Sequence, residues 1–341
     1  MAYVIGSIKD LVSLEVIDPI AEKPFISEVT PFRLGTSVLG LTPRQTVDRV
    51  ITTPDLCLIS SMFSMEWPIT RLLIAEIRKR FPRCLIVGGG EHFSSTYEFS
   101  LLHSELDACV LGEGEQTARQ LVWELCKEGR LPEGLAGTAV KSPDGKIIIN
   151  QRRDRIKDLS HLPWPAWELF NVRGFLDRGV SNTGNALVKH RAMPIVATRG
   201  CPYQCTFCSN HHMWGSQWHY RQPADVLSEM EWLINQYQAN HFDFCDLTAI
   251  LKKSWIVDFC KQLLARGLNI TWGLPSGTRA EALNEETLKL LKESGCNDLD
   301  YAPENGSSRM LKLIRKQVDL SKMLTSMKAC HKTGIKTKAN I

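Results

Sequence analysis

Three cysteines crowd into eight residues of this chain, and the run that holds them limits what the surrounding structure can be. It reads Arg199-Gly200-Cys201-Pro202-Tyr203-Gln204-Cys205-Thr206-Phe207-Cys208. Gly200 and Pro202 disfavour regular structure, so the run is a loop. The apolar stretch just before it, residues 195–198, reads as a strand. Thiolates are the usual ligands of iron–sulfur clusters, and three on one tight loop can occupy three corners of a cubane. The fourth iron is then open to a substrate or cofactor. A structural zinc site instead needs a fourth protein ligand to close its tetrahedron. His211 and His212 lie near enough in sequence to supply one. Cys201, Cys205 and Cys208 are therefore expected to bind metal, with a redox-active cluster as the leading reading and zinc as the alternative.

A loop that carries a cluster needs a scaffold, and the chain around it reads as repeated strand–helix units. Strands are predicted at 195–198, 242–246, 269–273, 298–302 and 336–340. Helices are predicted at 224–238, 254–267, 285–294, 308–314 and 320–333. Units at this spacing suggest a β/α barrel or part of one. The fifth strand closes the sequence, so the expectation is a partial barrel, from a truncated product or a fragment of a longer chain. Nearer the start, strands are predicted at 55–60, 84–87 and 107–111, with helices at 69–81 and 115–128. Segments 137–141 and 146–150 read as a hairpin around Pro143-Asp144-Gly145. Strands alternating with helices predict a parallel, Rossmann-like doubly wound sheet. Between the two regions, Arg152, Arg153 and Asp154 and then Pro163-Trp164-Pro165 mark a connector. The expected division is residues 1–150, a linker at 151–185, and residues 186–341.

Composition narrows the class further. The formal net charge is +4 over 341 residues, and no dense Lys/Arg stripe appears, so no nucleic-acid surface is expected. No run of about 18 apolar residues exists, so no membrane span is expected. Lys9 and Asp10 interrupt the start, which is too polar for a signal peptide. Eleven cysteines without a secretory signal point to reduced thiols in the cytoplasm. Cys57, Cys84, Cys109, Cys245 and Cys260 stand singly in apolar runs and read as small buried hydrophobes.

The spacing Cys201-x-x-x-Cys205-x-x-Cys208, with Phe207 before the last cysteine, resembles the motif of the radical S-adenosylmethionine superfamily. That resemblance implies a 4Fe–4S cluster whose open iron binds S-adenosylmethionine. One electron then releases a 5′-deoxyadenosyl radical. It places Phe207 near the adenine; an ordinary core aromatic is compatible with the same position. Three further runs lie at predicted strand ends and continue the likeness. Asp243-Phe244-Cys245-Asp246-Leu247-Thr248 supplies Asp246, and Trp272-Gly273-Leu274-Pro275-Ser276-Gly277-Thr278-Arg279 supplies Arg279. Tyr301-Ala302-Pro303-Glu304-Asn305-Gly306-Ser307 supplies Glu304 and is similar to the stretch that binds ribose and the methionyl group. Asp246 and Glu304 are candidates for hydrogen bonds from the ammonium or ribose, and Arg279 for pairing with a carboxylate. The plainer readings are a turn residue for Asp246 and surface charges for the other two.

The front region carries a second resemblance. Val87-Gly88-Gly89-Gly90-Glu91-His92 and Leu111-Gly112-Glu113-Gly114-Glu115 follow two predicted parallel strands. Together, over residues 34–140, they look like the cobalamin-binding domain found ahead of the barrel in one class of that superfamily. Gly88, Gly89 and Gly90 would let the backbone approach a corrin, with Ser60 and Ser61 at the same sheet end. Glu91, His92, Glu113, Gly114 and Glu115 complete the candidate set. His92 would face cobalt or cap and pack; Glu113 and Glu115 would bond corrin amides or favour the following helix through its dipole. The sequence lacks the Asp-x-His-x-x-Gly pattern that gives a histidine to cobalt elsewhere. The whole resemblance implies radical chemistry on an unactivated carbon of a small-molecule substrate. Methyl transfer leads, and cyclisation or rearrangement is its companion. An electron donor such as ferredoxin or flavodoxin is implied. The rivals are a non-catalytic zinc or iron–sulfur protein and an inactive remnant lacking the sixth strand unit.

Overall fold

A computed structural model of the chain describes residues 1–24, 37–142, 144–179, 190–277 and 283–341, with the backbone alone at 26–29 and 278. Arg279 and Pro143 lie outside the described residues. The chain forms two compact units: residues 1–156 with 162–171, and residues 157–161 with 172–341.

The first unit is built on five strands that follow one another across the sheet in chain order. Leu56–Ser60, Leu85–Gly89 and Ala108–Val110 run parallel. Thr138–Lys141 and Ile147–Ile149 close it as the predicted antiparallel hairpin. Alternation along each strand feeds two cores. Ile59, Ile86, Cys109 and Ala139 pack with Trp67, Ile74 and Ile77 of the helix Trp67–Arg80 and with Phe93 and Leu101 of Glu91–Leu102. Val87, Ala108 and Val110 pack with Leu121 of the helix Glu115–Glu128. That helix also buries Ala118 and Val122 against Ile8 of the helix Ala2–Ile8. Helices thus cover both faces, as the strand–helix alternation predicts.

The helix Glu91–Leu102 is absent from the sequence expectation. Its Ser-, Thr- and aromatic-rich run has a weak helical stripe, and Thr96 breaks helical geometry at φ −129°. Burial of Phe93 and Leu101 holds the element together instead.

The second unit carries five parallel strands, again in chain order: Ala192–Ile195, His241–Phe244, Thr271–Thr278, Cys296–Tyr301 and Lys336–Ala339. Helices Pro223–Tyr237, Lys253–Ala265, Glu285–Glu293 and Leu320–Thr333 separate them. This is the five-unit partial barrel that the sequence predicts. Their inner packing is aromatic: Phe244 and Phe259 meet edge-on at 5.4 Å, and Trp255 stacks on Phe259 at 5.6 Å.

The first strand begins earlier than predicted. Met193 and Ile195 are its buried alternate positions, and Pro194 is tolerated because this strand is the sheet edge. The predicted strand end instead becomes a two-residue ribbon, Thr198–Arg199 against His219–Tyr220. Cys84, Cys109 and Cys260 are buried as expected, whereas Cys245 is exposed because it lies one residue past the end of its strand.

Candidate active site and cofactor sites

The cysteine loop leaves the second unit's sheet at its carboxyl end. Ile195 lies opposite Phe244, and the carbonyl of Ile195 accepts the N–H of Cys245 at 2.8 Å. Beyond that point Val196 and Ala197 cross over to the ribbon without ladder partners, and side chains take up polar groups of this crossing. The buried Asp246 carboxylate accepts the N–H groups of Ala197, at 3.3 Å, and Thr198. Arg221 donates its own N–H to Ala197 O at 2.8 Å and a guanidinium N–H to Val196 O at 3.3 Å. It also bonds the Asp225 carboxylate at 2.6 Å and the buried Glu229. Burial pushes the Asp246 carboxyl up to about 6, while its N–H donors and Arg221 pull the other way.

Gly200 then turns the chain at φ +88°, where a side chain would be strained. Cys201 follows, and its carbonyl accepts the Asn210 amide at 3.1 Å. Its sulfur lies 3.3 Å from the Thr248 hydroxyl, which is positioned to donate to it. Cys205 is buried and Cys208 half-buried; the Cys208 N–H donates to Cys205 O at 3.2 Å. Phe207, between them, is 55% exposed, so it is not a core aromatic. None of the eleven cysteines is in a disulfide.

The donor set fits a cluster: three thiols on one braced loop, one of them beside a hydroxyl. Among the described residues, no three His, Cys, Asp or Glu side chains close on one point as the ligands of a single ion do. A cubane spreads its thiolates over separate irons and needs no such closure.

Glu304 stands at the carboxyl end of Cys296–Tyr301 with φ +63°, a strained value for a residue with a side chain. Its N–H donates to Asn340 O at 3.2 Å, and its carboxylate accepts Lys316 Nζ at 2.8 Å. Two residues before Lys316, the Ile314 carbonyl accepts the Thr206 N–H of the cysteine loop at 3.0 Å. Residues 314–316 therefore touch both the cysteine loop and Glu304. Sequence reasoning missed this link and the roles of Arg221 and Thr248. The Arg221, Asp225 and Glu229 spacing of four residues was the available signal for the first of these.

In the first unit, Ser60 lies opposite Gly89 at the carboxyl end of the parallel strands. Gly90 adopts φ +105°, and a Cβ there would meet Ser61 O at 2.5 Å. A Cβ on Gly88 would strike the Phe93 ring at 2.8 Å, whereas one on Gly89 would meet nothing nearer than 3.9 Å. Ser60 is exposed, as are Met62 and Phe63 in the loop that follows. Gly88 and Gly90 are thus packed against Phe93 and Ser61, and Ser61 is itself buried; Gly89, with exposed Ser60, Met62 and Phe63 nearby, is the open part of this edge that fits a broad, flat ligand such as a corrin.

Four other candidates turn into the fold. Glu113 is buried and accepts Arg155 Nε at 2.7 Å and the Ile156 N–H at 2.9 Å. Glu115 is buried in the first turn of its helix, and Gly114 caps that helix with Val4 within 3.2 Å of its would-be Cβ. His92 is buried, with Nδ1 3.0 Å from Ser64 Oγ and Nε2 3.3 Å from Thr96 Oγ1. Its ring lies 5.0 Å from that of Trp67, and burial pushes its pKa down. These contacts are those of a packed histidine. Glu91 is half-buried at the start of the helix after the glycines.

One prediction follows for that histidine. With cob(II)alamin bound, wild type and His92→Gln are expected to give the same electron paramagnetic resonance spectrum. A nitrogen hyperfine splitting from a protein imidazole, lost in the variant, is the contradicting result.

Two family models match different parts of the chain. Residues 195–341 match the family described as the radical SAM superfamily, which defines the second unit's class. Residues 34–122 match the B12 binding domain. The chain thus carries a radical SAM superfamily domain with a B12 binding domain ahead of it in sequence. It is 26% identical to an uncharacterized methyltransferase of Pyrococcus horikoshii, over 98% of this chain and 66% of that protein. It is 27% identical to an anaerobic magnesium-protoporphyrin IX monomethyl ester cyclase of Rubrivivax gelatinosus, over 76% of this chain and 45% of the cyclase. The chain thus spans about half to two thirds of the length of these relatives. Its fold is similar to that of the radical S-adenosylmethionine methyltransferase TsrM of Kitasatospora setae, solved with cobalamin and a 4Fe–4S cluster bound. The TM-score is 0.70 at 18% identity, over 87% of this chain and 60% of TsrM. The family implies a 4Fe–4S cluster, S-adenosylmethionine and cobalamin as cofactors.

Proposed function

We propose that this chain is a cobalamin-dependent radical S-adenosylmethionine enzyme that transfers a methyl group to an unactivated carbon of a small molecule. One observation carries the reading: a braced loop of three thiols at the carboxyl end of a parallel half-barrel, in the same chain as a B12-binding domain. When bound, the cluster supplies the electron that cleaves S-adenosylmethionine to a 5′-deoxyadenosyl radical, and cobalamin supplies the methyl carrier. The chain's own part is to hold and to shield. Cys201, Cys205 and Cys208 ligate iron and leave one corner open. Phe207, exposed beside Cys208, offers an apolar face to the adenine. Glu304, held by Lys316, accepts from the ribose or ammonium, and Arg279 pairs with a carboxylate. Ser60 and Gly89 offer the open edge to the corrin, and Ser61, Gly88 and Gly90 shape the backbone behind it. We assign residues 1–150 to cobalamin, 151–185 to a linker and 186–341 to the radical chemistry.

Similarity to a cyclase favours a second reading, ring formation without net methylation. Product analysis separates the two. Methyl transfer consumes one S-adenosylmethionine for the radical and another to restore the carrier. Anaerobic turnover is then expected to yield 5′-deoxyadenosine together with S-adenosylhomocysteine. 5′-Deoxyadenosine alone favours cyclisation, and neither product overturns both. Among the described residues no helix is long and apolar enough to cross a membrane. A cytoplasmic setting, with a ferredoxin or flavodoxin as donor, completes the proposal.

A further inference from the structure

The three residues after the strand His241–Phe244 and Cys245 hold the cysteine loop from both sides of its Gly200 turn. On one side, the Asp246 carboxylate takes the N–H groups of Ala197 and Thr198. On the other, Thr248 places its hydroxyl 3.3 Å from Cys201 Sγ. Thr248 is itself fixed: its carbonyl accepts the Trp218 indole N–H at 2.9 Å, and its side chain is buried. The competing acceptor for its proton is the Leu247 carbonyl at 2.8 Å, the adjacent residue's own oxygen. A thiolate carries a full negative charge, and a charge-assisted bond is about twice as strong as a neutral one. The proton therefore turns to sulfur once Cys201 is ionised by metal.

We propose that residues 246–248 are the positioning element of the cluster loop. Asp246 fixes the path of the chain into it, and the Thr248 hydroxyl, by hydrogen-bonding the Cys201 thiolate, raises the cluster's reduction potential. Hydrogen bonds to cluster sulfurs favour the reduced state, because the donor's positive end offsets the electron added. Neither residue touches substrate in this account. The inference rests on the reading of Cys201, Cys205 and Cys208 as cluster ligands.

The test uses the full chain, reconstituted anaerobically without S-adenosylmethionine, with iron, sulfide and the potential of the cluster measured. Thr248→Val keeps the shape and removes the donor. It is expected to load iron and sulfide as wild type does, with the potential shifted to more negative values. Thr248→Ser restores the hydroxyl and is expected to restore the potential. Asp246→Asn, which replaces one acceptor oxygen with a donor, is expected to lower cluster content several-fold with unchanged circular dichroism. Asp246→Glu is expected to recover part of it. A loaded Thr248→Val with the wild-type potential overturns the tuning role. An Asp246→Asn variant that loads fully overturns the positioning role. Wild type lacking iron and sulfide removes the cluster reading itself, and this inference with it.

Discussion

Replacing Arg221 with Ala is expected to cost the second unit about 3–5 kcal/mol, the range for breaking a buried pair by removing one partner. The side chain bonds Asp225, the buried Glu229 and the Val196 carbonyl at once. Its loss leaves a carboxylate in the interior with no cation and a backbone oxygen without its donor. Arg221→Lys is expected to recover only part, because one ammonium cannot reproduce a three-way fork. Burial already pushes the Glu229 carboxyl up, and losing the guanidinium pushes it further. A folded-state pKa above the unfolded one means stability is greatest at low pH and falls as pH rises through the folded value. The deficit of the Ala variant should therefore shrink on acidification. Urea unfolding followed by tryptophan fluorescence, at neutral and acid pH, checks both statements. A loss under about 1 kcal/mol at neutral pH, the usual worth of an exposed pair, would contradict them.

Changing Cys201, Cys205 and Cys208 together to Ala is expected to abolish the visible absorption of the reconstituted protein and all 5′-deoxyadenosine formation. Cys245, exposed at the end of the neighbouring strand, is a single thiol and cannot replace three ligands, and Cys84, Cys109, Cys260, Cys296 and Cys330 are buried. Cobalamin binding is expected to persist, because the glycine edge of Leu85–Gly89 belongs to a separate compact unit. Full iron retention in the triple variant would assign the metal elsewhere.

The parts of this structure that the sequence made legible are those fixed by local chemistry. The helices Glu115–Glu128 and Leu320–Thr333 were predicted to the residue. Gly129 and Gly334 end them at φ +67° and +74°, and the Asp319 side chain caps the second. The cysteine loop was legible because three thiols at that spacing admit few readings. Gly90 was legible as a turn, but its reason, an approach to Ser61 O, was not. What stayed hidden depends on contacts between distant residues. Thr248 and Cys201 are 47 positions apart, and no periodicity relates them. Asp246 was expected to reach a cofactor and instead supports the backbone that enters the loop. His92 and Glu113 stand beside glycines in sequence, yet tertiary packing turns both inward. Helix Glu91–Leu102 escaped notice for the same reason: Phe93 and Leu101, not propensity, hold it.

The central claim is that Cys201, Cys205 and Cys208 hold a cubane cluster in a chain that also binds cobalamin. Analysis of iron, acid-labile sulfide, zinc and corrin in the anaerobically reconstituted wild-type chain tests it most directly. The account predicts about four irons and about four sulfides per chain, the cubane stoichiometry, together with bound cobalamin. Zinc without sulfide, with or without corrin, would contradict it.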